Sequence, residues 1–468
     1  MRVCLVIEGS YPYITGGVSA WVHELIAGLS RIEFALYTLS PVAGQELRYA
    51  LPPNVVEHRD LVLTASAASR RGRFRRAKVG AILQAHALMV GGGEVDLKAF
   101  MAAIPEGRGI HRDAILDTRA WRYIGERNRI HNPLYPFADY FWAWKSAHDL
   151  IFNVLASEAP AADVYHSLST GFAGLAALAA KVRRGAPFLL TEHGLYHKER
   201  EIEIRKASFV KGYQRDMWTR LYNRIAELCY RNAELCTSLF EDNRGHQLGL
   251  GATRERTVVI PNGIDVERYS VQRQRRDEFF NVGFVGRIVP IKDVKTFLVA
   301  AKLVLEAEPR ARFHLIGPED EDKGYAAECR RLAADLRIDD RVDFVGRHDV
   351  RDYYRFLDVV VLTSVREAQP LVILEAYAAG IPVVSTDVGN VAELLEGDPR
   401  FIAPVKDSAA IAEGIVYVAR HAEEMRELAK RNRARVLASY DKKELLLRYG
   451  ELYARLAPLS GRSPPGRA

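Results

Sequence analysis

The amino-acid sequence predicts an α/β chain built from two doubly wound, Rossmann-like units, and three observations carry that expectation. Short apolar, β-branched runs alternate with longer amphipathic stretches, the pattern of parallel strands covered by helices on both faces. At 468 residues the chain is too long for one ordinary core, which favours two comparable domains. A turn-rich, charged stretch between Gly251 and Arg275 interrupts the alternation near the middle.

In chain order, the early strands are expected at Val3–Ile7, Phe34–Leu39, Val164–Ser167 and Phe188–Thr191, with a helix over Ala20–Leu29 after the first. Between about Ala65 and Leu155 the strand rhythm stops and the segment reads as a helical insertion. It is dense in aromatics: Trp121, Tyr123, Tyr135, Phe137, Tyr140, Phe141, Trp142 and Trp144. Such a set suits a core, or a sugar-stacking or partner surface. A second series of strands is expected at Val258–Pro261, Val282–Val285, Phe313–Ile316, Val342–Val345, Val359–Thr363, Pro382–Ser385 and Phe401–Ala403. The expected division is therefore 1–255, with the insertion at about 65–155, then 256–435. The tail, 459–468, has nothing to bury and is expected to be disordered.

Apolar residues make up 48% and charged residues 27%, a globular balance, and no stretch approaches the roughly 20 apolar residues of a spanning helix. The apolar run from Met1 meets Glu8 too early for a signal-peptide core, which points to the cytoplasm. Cys4, Cys229, Cys236 and Cys329 have no C-x-x-C spacing, so they read as buried apolar residues in a reducing compartment, with no zinc signature. Net charge is +7, and Arg70–Lys78 places six cations in nine residues. That run fits a solvated face or contact with an anionic membrane surface or membrane-bound partner; nucleic acid is not expected as the partner.

The residues that carry chemistry begin with Glu367-Ala368-Gln369-Pro370-Leu371-Val372-Ile373-Leu374-Glu375, which follows a buried strand and runs into a helix ending near Gly380. Free N–H groups at Leu371 and Val372 and the helix dipole favour an anion such as a diphosphate. A carboxylate at Glu375, accepting two ribose hydroxyls, would hold a nucleotide against those amides, and Glu367 would face the sugar beyond. Arg287 and Lys292, in Gly286-Arg287-Ile288-Val289-Pro290-Ile291-Lys292-Asp293, follow an earlier strand of the same unit. They would be fixed cations at the strand edge where open α/β sheets bind ligands. Breaking a sugar–phosphate bond leaves negative charge on the departing diphosphate, which a site without Mg²⁺ must meet with Arg, Lys and amide donors. No Asp-x-Asp pair is positioned to hold a metal, so none is expected.

In the first unit, Gly16 and Gly17 open a turn between the first strand and its helix, where backbone can approach a phosphate or sugar closely. The sequence there is not G-x-G-x-x-G, which argues against a dinucleotide-dependent dehydrogenase. His166 and His193 lie at predicted strand ends, where an imidazole can meet a sugar hydroxyl.

Together these motifs resemble the retaining family-four glycosyltransferases of the GT-B fold, over nearly the whole chain. Glu367 and Glu375 match the Glu-x7-Glu motif, Gly16-Gly17 the glycine-rich loop, and Arg287 with Lys292 the basic pair. Ile260-Pro261-Asn262-Gly263-Ile264-Asp265 and Ser385-Thr386-Asp387-Val388-Gly389-Asn390 match two further segments. Glu8-Gly9-Ser10-Tyr11-Pro12-Tyr13 and Thr191-Glu192-His193-Gly194, with the aromatic insertion, are similar to the soluble glycosyltransferases of Pel exopolysaccharide synthesis. Ala368 and Asn390 stand where the broader family has glycine.

The resemblance implies two Rossmann-like domains facing across a cleft that closes on the donor, with residues 436–458 crossing back to the first domain. It implies a UDP-sugar donor, either UDP-glucose or a UDP-N-acetylhexosamine, a polysaccharide acceptor, and work beside an inner-membrane secretion complex. Glu375 would bind ribose, Glu367 the donor-sugar hydroxyls, Arg287, Lys292 and the Gly17 amide the diphosphate, and His193 the hydroxymethyl end. Ala368, Gln369, Pro370, Leu371 and Val372 would line the same subsite. Rival readings are a UDP-sugar epimerase or hydrolase on this fold and a non-catalytic UDP-sugar-binding scaffold or nucleic-acid binder, the last suggested by the Arg70–Lys78 run.

Overall fold

Thirteen strands among the described residues sort into two all-parallel sheets. The computed structural model describes residues 1–63, 77–91, 94–104, 106–107, 118–131, 134, 136–274 and 276–457. The expectations for Arg70–Arg76, the Lys78 side chain, Tyr135, Arg275 and the tail from 459 on lie outside what it describes. The chain divides into two compact units: one holds Met1–Ile260 and the chain from Tyr449 on, the other Pro261–Arg448.

In the first unit the strands are β1 (Arg2–Glu8), β2 (Glu33–Ser40), β3 (Val55–Val62), β4 (Val164–Ser167), β5 (Phe188–Glu192), β6 (Leu235–Ser238) and β7 (Thr257–Val259). They lie in the order β3-β2-β1-β4-β5-β6-β7. The reversal between β1 and β4 is the switch point of a doubly wound sheet. Strand β1 is buried through its centre, Val3 to Ile7, because helices cover both faces. The segment expected to be helical carries helices Ala77–Val90, Leu97–Ala103, Thr118–His131 and Phe137–Ala156. Tyr140 and Trp144 join the core, whereas Trp142 remains 63% exposed.

Strand Val258–Pro261, expected to open the second series, instead closes the first sheet as β7, Thr257–Val259, paired with β6. The break comes after it, because Pro261 lacks the N–H that a further ladder step needs. Strands β3 and β6 carried no clear signal. Val55–Val62 reads VVEHRDLV and is partly exposed along its length, and Leu235–Ser238 is only four residues long.

The second unit repeats the plan with β8 (Phe280–Val285), β9 (Ala311–Ile316), β10 (Val342–Gly346), β11 (Val359–Leu362), β12 (Val383–Thr386) and β13 (Ile402–Ala403), in the order β10-β9-β8-β11-β12-β13. Its switch point lies between β8 and β11, in register from Val359 opposite Val282. Gly283 leaves room there for Leu357, whose buried side chain would have to shift from a Cβ placed 2.3 Å away. Helix Lys442–Leu456 carries the chain from this unit into the first, where Tyr449 and Tyr453 are buried. Among the described residues no helix is long and apolar enough to cross a membrane. All four cysteines are free and buried.

Candidate functional site

Strands β8 and β11 end side by side at the second unit's switch point, so the turns just beyond them are where a doubly wound sheet places ligand-facing groups. The turn after β8 begins at Gly286 and meets the turn after β9 so closely that a Cβ on Gly317 would lie 1.9 Å from the Gly286 carbonyl oxygen. It then forms a tight helical turn, Pro290–Lys292. The chain after β11 braces this turn: Thr363 Oγ1 donates to the carbonyls of Lys292 and Asp293, each at 3.0 Å, and Val365 N–H donates to Ile291 O at 2.8 Å.

That bracing brings Lys292 onto Glu367. Lys292 Nζ donates to Glu367 Oε1, and Ser364 Oγ donates to the same oxygen at 2.8 Å. Thr386 Oγ1 holds the Ser364 carbonyl at 2.7 Å, linking the end of β12 to the network. Both members of the ion pair are less than one-fifth exposed, at 17% and 18%. Their charges therefore act in a medium less screening than water. A lysine so placed is a ready counter-charge for an oxyanion, and the glutamate is an acceptor for hydroxyls.

The loop carrying Glu367 rests on the segment after β12. Asn390 N–H donates to Ala368 O at 3.1 Å, and Gly389, at φ +57°, would place a Cβ 2.1 Å from that oxygen. Gly389→Ala should therefore lower turnover by on the order of 10², as expected when a reacting group is displaced by about 1 Å. It should also cost about 1–2 kcal/mol of stability through the left-handed backbone. Gly380→Ala is the control: its φ is +72° but a Cβ there meets nothing, so thermal stability should fall while turnover holds.

Gln369 was expected to line the donor subsite, and its side chain is engaged elsewhere. Its amide is committed to the chain, accepting from Asn262 N–H at 2.8 Å and donating to Asn262 O at 3.2 Å, with the side chain buried. It clamps the Asn262-Gly263 turn. Pro370 then leads into the helix Leu371–Ala378 with no side-chain cap, so Leu371 and Val372 head the helix with their N–H groups. Glu375, in the middle of that helix, accepts from Tyr354 OH at 3.2 Å, and the Tyr269 phenol lies close by. Burial pushes its carboxyl above the usual range, and the two phenols oppose that shift. A carboxylate has about four lone-pair sites, so two phenols leave room for a diol.

Arg287 stands apart from this network. It is half exposed, and its ion pair is with Glu321, at 2.6 and 2.7 Å. Among the described residues, no group of three or more His, Cys, Asp or Glu side chains is arranged to hold a metal ion.

In the first unit, Gly16 precedes the helix Gly17–Gly28, and a Cβ on either Gly16 or Gly17 would meet no other atom. The chain's own packing thus does not demand glycine there, and open space adjoins the turn. Trp21 stands edge-on to His193 at 4.5 Å between ring centroids.

His166 was expected to contact a sugar, but it is fully buried, with Nδ1 bonded to Tyr453 OH at 2.7 Å and Nε2 to Thr191 Oγ1 at 2.8 Å. Both nitrogens are spent on the framework. Burial, with His193 adding to it, pushes this imidazole down to about 3. The unfolded chain therefore takes up the proton first. Stability is fully present above pH about 6.5 and is lost as pH falls toward the folded value, by at most about 1.4 kcal/mol per pH unit for each such group. Thermal denaturation between pH 7.5 and 4.5 should therefore show a smaller loss on acidification in His166→Gln than in the unaltered protein, the difference between the two isolating this imidazole from groups such as Glu192 that act in the opposite sense.

Sequence reasoning missed two carboxylates at the strand ends of the first unit, Glu192 buried and Glu8 half-buried. Glu8 accepts from Tyr196 OH at 2.5 Å and from Ala173 N–H at 3.2 Å. Glu192 accepts from Tyr230 OH at 2.5 Å and Gln247 at 3.2 Å, and burial raises it to about 7. Glu8 and Glu192 both end apolar strands, which was the available signal.

Residues 1–255 match the family model described as a domain of unknown function, DUF3492, and residues 280–421 match that of group 1 glycosyl transferases. A D-inositol 3-phosphate glycosyltransferase of Frankia alni is 31% identical over 54% of this chain and 64% of its own length. An N-acetyl-alpha-D-glucosaminyl L-malate synthase of Bacillus anthracis is 30% identical over 33% of this chain and 39% of its own. The chain thus spans less than two thirds of either relative. Among solved structures, sucrose-phosphate synthase of Thermosynechococcus elongatus superposes with TM-score 0.61 at 18% identity, covering 97% of this chain and 99% of that one. Anabaena HepE, solved in complex with UDP and glucose, superposes with TM-score 0.57 at 16% identity, covering 97% and 100%. The paired parallel sheets are those of the GT-B fold.

Proposed function

Because the chain belongs to the DUF3492 family through residues 1–255 and matches group 1 glycosyl transferases over residues 280–421, we propose that it transfers a hexosyl unit from a UDP-sugar to a growing exopolysaccharide, with retention of anomeric configuration. The observation that carries this is the Lys292–Glu367 pair at the switch point of β8 and β11. Eight residues after Glu367, in the helix its loop leads into, comes Glu375, completing the two-acid motif.

In this reading Lys292 and the amides heading the helix Leu371–Ala378 receive the diphosphate, and Arg287 joins them by exchanging Glu321 for phosphate. These groups stand in for a metal ion in meeting the leaving-group charge. Glu367 accepts donor-sugar hydroxyls, and Glu375 accepts the ribose diol. In the first unit, Gly16, Gly17 and His193 are the proposed phosphate- and sugar-facing groups. Support for uridine comes from HepE, solved with UDP and with UDP-glucose. Retention rests on the Glu-x7-Glu resemblance, and a role in Pel synthesis at the inner face of the cytoplasmic membrane rests on the motifs around Glu8 and His193.

The test is to incubate the protein with UDP-glucose, UDP-N-acetylglucosamine or UDP-N-acetylgalactosamine, with and without hexosamine oligosaccharides, following UDP release and product mass. Acceptor-dependent UDP release with an extended oligosaccharide is expected. Equal release of free sugar or an epimer without acceptor would instead make this a hydrolase or epimerase.

A further inference from the structure

The second unit holds a cavity of about 670 Å³, within the 300–1,000 Å³ range of small-molecule sites, at the opposite edge of its sheet from Lys292 and Glu367. Its walls come from the amino-terminal ends of the strands: Phe280 begins β8, and Arg310, Asp358 and Pro382 immediately precede β9, β11 and β12. Lys292 and Glu367 follow the carboxyl ends of β8 and β11, and six residues of strand span about 20 Å.

Among the described residues, seven cationic side chains line this cavity against three carboxylates, Glu278, Glu308 and Asp358. No run in the sequence makes this excess, because the fold assembles it from four places. Arg273 and Arg276 precede β8, Arg310 precedes β9, Arg355 follows a short helix, and Arg426, Lys430 and Arg433 come from the helix Ala422–Ser439. The last three are spaced i, i+4, i+7 and so form one stripe, beside the buried stripe of Met425, Ala429 and Asn432. Arg426 and Lys430 pair with Glu423 and Glu427, exposed pairs that hold them only weakly. Among the described residues, Arg276, Arg355 and Arg433 make no ion pair with a carboxylate.

The cavity also has an apolar floor. Phe279, Phe356, Val418, Ala419 and Met425 contribute to it, and the Arg276 guanidinium lies 4.9 Å from the centroid of the Phe356 ring. Low-dielectric walls beneath clustered cations concentrate the field in the opening, and like charges held together without counter-charge work against folding. A bound polyanion relieves that repulsion, and the floor accommodates an apolar or planar body attached to it.

We infer that this cavity is a second ligand site, for a soluble organic polyphosphate of nucleotide size, separate from the proposed donor site. The test is isothermal titration of the full chain with tripolyphosphate and with ATP, at 50 and 200 mM salt, on the unaltered protein, on Arg355→Glu/Arg433→Glu and on Lys292→Ala. Saturable binding is expected, weaker at high salt, reduced at least tenfold by the double charge reversal and unchanged by Lys292→Ala, with ATP tighter than tripolyphosphate. Circular dichroism and a melting temperature no lower than that of the unaltered protein show that the reversed variant is folded, since both arginines are on exposed chain. Absence of saturable binding, equal binding by the reversed variant, or loss of binding in Lys292→Ala would overturn the inference. Equal affinity for ATP and tripolyphosphate would remove the role given to the apolar floor. Loss of binding in Lys292→Ala alone would place the polyphosphate in the proposed donor site, whereas the other outcomes leave the donor reading untouched, which sugar transfer by the Lys292 and Glu367 variants tests separately.

Discussion

Glu367→Ala should abolish sugar transfer, lowering turnover on the order of 10³-fold, while leaving UDP affinity within several-fold. The separation follows from where the carboxylate sits. Its Oε1 receives Lys292 Nζ and Ser364 Oγ, on the β11 side of the switch point, while Glu375 is held independently by Tyr354, with Tyr269 close by. UDP carries no sugar, so losing a sugar-facing acceptor removes nothing it touches, and the freed Lys292 remains available to the diphosphate. Interactions made only as the sugar is transferred appear in turnover rather than in nucleotide binding. Paired measurements of UDP affinity and steady-state transfer check this, and an equal loss in both would show the role is misassigned. Glu367→Gln keeps the shape and should recover stability but not transfer.

Lys292→Ala should be as damaging to turnover, by on the order of 10²–10³, as removal of a preorganised oxyanion donor generally is. It differs from Glu367→Ala in also weakening UDP, because the diphosphate is present in both ground and transition states. A structural penalty is expected as well: Glu367, 18% exposed, is left without its counter-charge, and unpaired carboxylates in such surroundings are costly. The double variant should therefore be more stable than the sum of the two single effects predicts, because residues in direct contact are not additive. Melting temperatures of the three variants measure that coupling, and simple additivity would mean the pair seen in the structure is not maintained in solution.

Much of this was legible before any coordinates. Strands such as β1, β8 and β11 are buried on both faces, so their apolar runs are continuous and stand out from the amphipathic stretches around them. Their alternation with helices gave the doubly wound class and put Lys292 and Glu367 just beyond strand ends, while the adjacency of β8 and β11 came from the structure. Strand β3 escaped notice because it is half exposed and charged, and β7 was assigned to the wrong sheet because a three-residue strand beside a turn carries no sign of its partner.

Side-chain partnerships were the least accessible part. His166 and Gln369 are polar residues in promising segments, yet the fold spends them on Tyr453, Thr191 and the Asn262 backbone. Nothing in periodicity reveals that a residue 287 positions away will satisfy an imidazole. Likewise Ser364 and Glu321, which brace or occupy the expected site residues, carry no motif, and Thr386 lies in a matching segment that gives no sign of its bond to Ser364. The glycine at 389 was legible as part of a segment, but its reason, contact with the Ala368 carbonyl, was not.

The central claim is that the second unit grips a uridine diphosphate with its own cations and amides. Calorimetric titration with UDP, GDP and ADP, followed by the UDP-sugars, all with EDTA present, measures this directly. The account predicts saturable binding of UDP and of at least one UDP-sugar, weakened in Lys292→Ala. Failure of every uridine nucleotide to bind would contradict it.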